Sequence, residues 1–342
     1  MNRVSLKLYL RLTLVPAAAV FVALAFVTIA FTGCIASNAA RADGKTGGAV
    51  IGAVIIDRYE ELIRSPLEGR FTVFFPDLSV SPQAQDKSGD AAIVILPGGK
   101  VMMIDSGHPE SAGDSLALLS DLGINKIDYF IITHPHIDHI GGFPAIAEKH
   151  EIGEVFQTAL EYSTETYRSY RTALEKFRLP VNNLNRGDAL VFGEGVTALV
   201  LNPQAEISYP ANFPGNSTQF LNDNSLVIKF TWGASSILFG ADIYLTRERE
   251  LSELYGEELV SVAAKANHHG SDTSNSAGWI RAVQPKLVVA MDDQISSMTV
   301  YNNYKRSGAA YYHTFLDGIV RVSLDREGNY EVISRFDSWL RN

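Results

Sequence analysis

Cysteine is nearly absent from this 342-residue chain: Cys34 is the only one. An intrachain disulfide is therefore excluded, and nothing in the fold can depend on one. Basic charge is also scarce, with 29 Lys and Arg against 38 Asp and Glu. No long basic stripe runs through the sequence, so a surface built to grip long nucleic acid is not supported. No internal repeat is visible. No histidine lies between His150 and His268. Long apolar runs are confined to one, near the N-terminus, which excludes a polytopic membrane protein. What remains is 46% hydrophobic and 20% charged residues, the balance of an ordinary globular protein with one large domain or two small ones.

The single apolar run extends from Leu12 to Phe31 without a charge, after Arg3, Lys7 and Arg11. A run of that length can span a bilayer, and the positive charges ahead of it place the residues beyond it outside the cytoplasm. It reads as a signal peptide or a membrane anchor. Phe31-Thr32-Gly33-Cys34 resembles a bacterial lipobox, which implies cleavage before Cys34 and its acylation. The alternative is an uncleaved anchor helix. The expected organisation is a lipoprotein-type signal peptide or anchor at 1–33, a tether at 34–68 and one folded domain at 69–342; the tether is rich in small and polar residues up to about residue 48, and residues 49–64 can form a short amphipathic helix. The first 33 residues hold three basic and no acidic side chains, so 26 basic and 38 acidic residues remain, a net of −12.

The chemistry concentrates in Thr133-His134-Pro135-His136-Ile137-Asp138-His139-Ile140-Gly141-Gly142. Ile127–Ile132 before it reads as a buried strand, and Gly141, Gly142 and Pro144 open a helix. The cluster thus leaves the C-terminal end of a strand, where α/β folds place their sites. Imidazole and carboxylate are the ordinary ligands of Zn²⁺ and similar divalent ions. His134 and His136 can face one ion, with Asp138 and His139 facing a second beside it. Further along, Asp242 ends an apolar strand after Gly240-Ala241. His268 and His269 come after a strand, in Asn267-His268-His269-Gly270-Ser271. Adjacent histidines point in different directions, so one of this pair is a ligand and the other lines the substrate pocket; the residues alone leave the choice open. Asp105 ends a strand in Asp105-Ser106-Gly107. His108, His150 and His313 have no evident partners and read as structural or surface groups.

The His-x-His-x-Asp-His pattern resembles the signature of metallo-β-lactamase-fold hydrolases. The resemblance implies an α/β fold, a four-layer αββα sandwich of two mixed sheets with helices outside. It implies metal ligation by His134, His136, Asp138, His139, Asp242 and His268, with Asp242 bridging two ions. Asp138 and His269 are then the catalytic pair: Asp138 orients the attacking water, and the free histidine protonates the leaving oxygen. Asp105 orients the ligands from behind. The expected cofactor is Zn²⁺, one or two ions, with Mn²⁺ as the alternative.

Gly89-Asp90-Ala91, Asn222-Asp223-Asn224-Ser225-Leu226-Val227, Asn267-His268-His269-Gly270-Ser271 and Thr314 with Asp317-Gly318-Ile319 resemble the C-terminal hydrolase domain of ComEC-type DNA-uptake proteins. This likeness spans about residues 70–335. It departs from that family in two respects. The transport channel is absent, so DNA uptake is not implied. The separate third histidine ligand is missing, and its region holds Asn222-Asp223-Asn224. The first metal position is therefore expected to be weaker, completed by Asp223 or water, with Asn224 as a further weak candidate.

These implications point to a membrane-tethered, extracytoplasmic metal-dependent hydrolase of a phosphodiester or other small molecule. Nucleic acid is chemically allowed as a substrate but unsupported by the charge. A lactone, β-lactam or thioester hydrolase and a weakly metal-binding tethered module are the rival readings.

The local pattern predicts strands at 71–75, 91–96, 101–104, 127–132, 196–201, 225–230, 235–239, 259–264 and 286–290. It predicts helices at 111–122, 143–149, 162–178 and 244–255. It also predicts a closing hairpin from Tyr311 to Val322, and a long polar loop over 202–224.

Overall fold

The computed structural model describes residues 56–207 and 217–338. The apolar run, the lipobox and Cys34 lie outside these residues. Among the described residues no helix is long and apolar enough to cross a membrane.

The chain opens with helix α1 (Tyr59–Arg64), then β1 (Phe71–Phe75), β2 (Ala92–Ile95) and β3 (Val101–Ile104). Next come α2 (Ala112–Asp121), β4 (Lys126–Ile132), α3 (Ile137–Ile140), α4 (Phe143–Ala147) and β5 (Glu151–Gln157). Helix α5 (Glu165–Phe177) leads to β6 (Val181–Asn183), β7 (Ala189–Val191), β8 (Thr197–Asn202) and α6 (Thr218–Asp223). The second half holds β9 (Val227–Trp232), β10 (Ser235–Phe239), α7 (Leu245–Tyr255), β11 (Ala263–Lys265), α8 (Ala277–Val283) and β12 (Leu287–Ala290). It ends with α9 (Met298–Ser307), β13 (Ala310–His313), α10 (Thr314–Asp317), β14 (Val320–Leu324) and β15 (Tyr330–Ser334).

Two mixed sheets result, of order β15-β14-β1-β2-β3-β4-β5-β6 and β13-β12-β11-β10-β9-β8-β7. They pack face to face with helices outside, the expected αββα sandwich. Alternation along β1 explains the layering. Phe71 and Phe75 point between the sheets, where they meet Phe230 and Phe239 at ring separations of 6.0 and 6.2 Å. Each of these rings is at most 3% exposed, and burying one contributes about 2 kcal/mol. Thr72 and Phe74 point the other way and are buried as well. On the outer face of the second sheet, Trp279, Ile280, Val300 and Tyr304 cover β11 and β12.

Three expectations change. First, the tail is no hairpin. β13 pairs in parallel with β12 in the second sheet, whereas β14 pairs antiparallel with β1 and β15 in the first. The short helix α10 and Gly318, at φ 66°, carry the chain across. Two apolar runs separated by a turn signal look alike whether they share a sheet or change sheets.

Second, the expected tether overlaps the fold. Helix α1 buries Leu62, and the buried Arg321 guanidinium donates to the carbonyls of Leu62, Ser65 and Pro66 at 3.0–3.2 Å. Those carbonyls lack helical partners of their own, and Arg321 supplies the donors. Third, the strand expected at 259–264 shortens to β11, since Gly256–Leu259 forms a 3₁₀ turn.

Strand pairing decides where chemistry can sit. β3 and β4 run parallel, as do β10, β11 and β12. Their carboxyl ends open onto one edge of the sandwich. Asp105, His134, Asp242 and His269 all come just after such ends.

Candidate metal centre

Strained backbone aims the side chains. Asp105, Ala241, His268 and His269 take φ of 58°, 47°, 46° and 57°, the left-handed region that non-glycine residues seldom occupy. Strain of that kind persists where the surroundings overdetermine it, and commonly at functional sites. At the first loop, His136 is extended and opens α3, which presents Asp138 and His139 from a single turn.

Four side chains converge. His139 Nε2 lies 3.3 Å and His269 Nε2 3.4 Å from Asp242 Oδ2. His269 Nε2 is also 3.2 Å from Asp138 Oδ2, and His139 Nε2 is 3.9 Å from the same oxygen. Donor atoms of Asp90, His139, Asp242 and His269 all fall within 4.8 Å of one another, and all four residues are buried. Nε2 of His139 and His269 and Oδ1 of Asp242 are buried without a hydrogen-bond partner. An unpaired buried polar atom costs about 1–3 kcal/mol, so several facing one point argue for a ligand there. Imidazole nitrogens and carboxylate oxygens at this spacing fit a divalent cation.

Both inner histidines are held from behind. His139 Nδ1 lies 2.8 Å from Asp105 Oδ2, and Asp105 accepts from the Thr133 amide at 2.8 Å and hydroxyl at 2.7 Å. His269 Nδ1 faces the Met291 carbonyl and Asp90 Oδ1, each at 3.1 Å. Asp90 in turn forms a buried ion pair with Lys265. A carboxylate behind a ligating imidazole fixes its tautomer and orientation. Asp105 thus sits where a ligand-orienting group belongs. Asp90 does so as well, although the sequence marks it only as part of Gly89-Asp90-Ala91.

The field of the site is strongly negative. Burial opposes charge on His139 and His269. The nearby carboxylates outweigh it: Asp242, Asp138 and Asp105 around His139, and Asp90, Asp242 and Asp138 around His269. Both imidazoles are held protonated well above the usual histidine range. Burial also opposes ionisation of Asp242, but His269, His139 and His268 keep it well below the usual carboxylate range. A cation placed among these carboxylates meets the same favourable field.

The two adjacent histidines are placed the other way round from the expectation. His269 is fully buried in the cluster. His268 is only partly buried, with Nε2 3.8 Å from Asp242 Oδ2 and Nδ1 2.6 Å from Thr273 Oγ1. Its ring lies against Tyr244 at the mouth, with centroids 5.1 Å apart. Burial pushes its pKa down to about 4. The left-handed backbone at both residues turns the rings this way, which the sequence does not disclose.

Asp223 and Asn224 do not face the metal position. Asp223 Oδ1 accepts from the Tyr244 amide at 2.9 Å, and the Asn224 amide group donates to the Phe220 carbonyl at 2.9 Å. The long loop closes in helix α6, which buries Leu221, Asn222 and Asp223. His134 Nε2 lies 3.9 Å from Asp242 Oδ2 and 2.8 Å from His136 Nδ1. Tyr167 and Tyr170 of α5 pack in the core, while Tyr162 sits edge-on to His136 with ring centroids 5.8 Å apart. His108 accepts from the Glu110 amide, a structural cap.

The loop carrying Asp90 is sewn to the metal loop. Its amide donates to the Asp138 carbonyl at 3.0 Å, and Gly107 donates to the Asp90 carbonyl at 2.7 Å. Gly89, at φ 86°, leaves no room there: a Cβ would lie 1.8 Å from the Asp138 carbonyl oxygen. Gly89→Ala is therefore expected to cost roughly 3 kcal/mol or more. Gly99→Ala, at φ 82° with nothing within 4 Å, is expected to cost only the left-handed penalty of about 1–2 kcal/mol. Urea midpoints of the two variants check the difference.

Residues 88–203 match the model of the metallo-beta-lactamase superfamily. Competence protein ComA of Neisseria gonorrhoeae is 23% identical over 261 residues, 74% of this chain and 33% of its own length. ComE operon protein 3 of Bacillus subtilis is 26% identical over 184 residues, 53% of this chain and 22% of its own. The chain thus spans a third or less of the length of these curated relatives. The crystal structure of Tm1679, described as a metal-dependent hydrolase of the beta-lactamase superfamily, aligns with a TM-score of 0.50 at 14% identity. That alignment covers 77% of this chain and 99% of the other, and it shows the shared fold. The match at 88–203, the resemblance to ComEC-type proteins and the buried His–Asp cluster agree in supporting a metal-dependent hydrolase with the metallo-β-lactamase fold.

Proposed function

We propose that the chain hydrolyses a phosphodiester, with its metal held by Asp138, His139, Asp242 and His269 and a further position at His134 and His136. The observation that carries this reading is the set of unpartnered imidazole nitrogens facing Asp242 at the carboxyl edge of the sheets. When bound, a divalent ion supplies Lewis acidity, polarising the scissile bond and acidifying water. The resemblance to the family supports Zn²⁺, with Mn²⁺ as the alternative.

The chain's own groups do the rest. Asp138, 15% exposed, reaches the mouth and orients the attacking water. His268 stands beside it, largely neutral at pH 7, and presents Nε2 to a substrate oxygen while Thr273 holds Nδ1. Water attacks phosphorus, one P–O ester bond breaks, and the water proton ends on the departing alcohol.

The substrate is of modest size, since the net charge of −12 beyond residue 33 repels a long polyanion. The resemblance of Phe31–Cys34 to a lipobox supports a membrane-tethered, extracytoplasmic enzyme. Palmitate labelling, abolished in Cys34→Ser, tests that part.

His268→Ala and His269→Ala separate the two histidines. His268→Ala is expected to keep its metal and to lose about 10²-fold or more in turnover of bis(p-nitrophenyl) phosphate. His269→Ala is expected to lose the metal as well. Elemental analysis beside the rate measurement checks both. Hydrolysis of a lactone or β-lactam, with none of the phosphodiester, would refute the proposed substrate class.

A further inference from the structure

Behind the His268–His269 turn lies a carboxylate that takes no part in the cluster. Glu248 of α7 is fully buried. Its Oε1 accepts from the Asn267 side-chain amide at 2.8 Å and from the Asn275 backbone amide. Its Oε2 accepts from the Ser276 amide at 2.8 Å. A buried carboxylate is costly unless its oxygens are satisfied. These three donors satisfy it, and none of them carries a charge.

Asn275, buried and left-handed at φ 62°, uses its whole side chain on the same turn. Its Nδ2 donates to the carbonyls of Asn267 at 2.8 Å and Ser271 at 2.9 Å. Its Oδ1 accepts from the Asn267 amide and from the Tyr304 hydroxyl of α9, each at 3.0 Å. Asn267 and Ser271 bracket His268, His269 and Gly270, so one side chain closes the turn at both ends. Asn267 also reaches the turn before Asp242. A Cβ on Gly240 would lie 1.9 Å from Asn267 Oδ1, and the His268 amide donates to the Ala241 carbonyl at 2.8 Å. The network therefore joins two left-handed turns, at Ala241 and at His268–His269, which set Asp242 and His269 against each other. Such conformations persist only where their surroundings enforce them.

We infer that Glu248 and Asn275 are positioning residues of the metal centre: acting through Asn267, they hold His269 against Asp242 and keep His268 at the mouth. Packing of α7 against the sheet has other sources, since Leu251 shares an apolar cluster with Leu238, Ala264 and Trp279. What a fully satisfied polar network adds is direction, because each of its bonds is lost if the turn rotates. This inference rests on the metal-dependent reading of the same site.

The test compares Asn275→Gly and Glu248→Gln with Val73→Ala in the purified full chain. Glycine keeps the left-handed backbone and removes only the side chain. Glutamine keeps the volume of Glu248 and turns one of its two acceptors into a donor. Val73→Ala, in the core of the first sheet, is the control for lost stability alone, with urea midpoints matching the comparison. Zinc affinity, measured by competition with a chromogenic chelator, is expected to fall about 10–100-fold in the first two variants and to hold in Val73→Ala. In the metal-free chain, amide hydrogen exchange over 266–271 is expected to quicken about tenfold or more beyond the change in global stability. With zinc saturating, kcat on bis(p-nitrophenyl) phosphate is expected to fall about tenfold while KM stays within about twofold. Wild-type zinc affinity in both variants would overturn the inference. So would an equal fall in Val73→Ala at a matched urea midpoint. The substrate reading fails separately: lowered zinc affinity in the two variants of a wild type that turns over no phosphodiester would remove that reading alone.

Discussion

Replacing Asp242 by alanine is expected to abolish tight metal binding and to lower turnover by about 10³-fold or more, roughly 4 kcal/mol of transition-state stabilisation. The size comes from its position. Asp242 Oδ2 lies within 3.3–3.9 Å of Nε2 of His134, His139, His268 and His269. It is the one carboxylate shared by the cluster around His139 and His269 and the further position at His134 and His136. Without it the cluster keeps Asp138 as its only mouth-facing anion, and His134 and His136 lose theirs altogether. Asp242→Asn keeps the shape and one oxygen but not the charge, so a smaller loss is expected. Metal content and initial rates on bis(p-nitrophenyl) phosphate check both variants. Retention of metal and activity in Asp242→Ala would contradict the site as described.

The second large effect concerns stability. Asp90 and Lys265 form an ion pair with side chains 7% and 3% exposed. Asp90→Ala strands the Lys265 ammonium in the interior, and breaking one side of such a pair costs about 3–5 kcal/mol. Adding Lys265→Met removes the stranded charge, so the double variant is expected to recover most of that loss. Metal affinity is expected not to recover. His269 then lacks the carboxylate facing its Nδ1, and loss of such a support lowers metal affinity about 10–100-fold. Denaturant midpoints beside zinc titrations separate the two consequences. A double variant with wild-type metal affinity would show that Asp90 serves the fold alone.

The contrast between Asp242 and Asp90 also shows what a sequence makes legible. His134, His136, Asp138 and His139 are readable because one loop carries them all, and the strand before them says where the loop sits. Asp242 is readable for a similar reason, as a carboxylate closing an apolar strand. Asp90 is not, because its meaning comes from Lys265, 175 positions away, and from His269. The sandwich is legible from the alternation of strands and helices. The return of β14 and β15 to the first sheet is not, because pairing partners distant in the chain decide it.

Adjacent residues of similar chemistry are the hardest to tell apart. His268 and His269 differ only in where a left-handed turn points each ring. Asn222 and Asp223 differ only in the phase of a one-and-a-half-turn helix inside what reads as a polar loop. A carboxylate is the stronger ligand type, so chemistry alone favours Asp223. The 100° step between neighbours on a helix points the two side chains apart, and Asp223 is turned to the Tyr244 amide.

The most direct test of the central claim is metal content measured together with phosphodiester turnover on the purified chain, before and after chelation. Expected are bound divalent metal, hydrolysis of bis(p-nitrophenyl) phosphate, loss of both on chelation, and return of both on adding Zn²⁺ or Mn²⁺. A folded chain that binds no metal, or whose hydrolysis is indifferent to chelation, would contradict it.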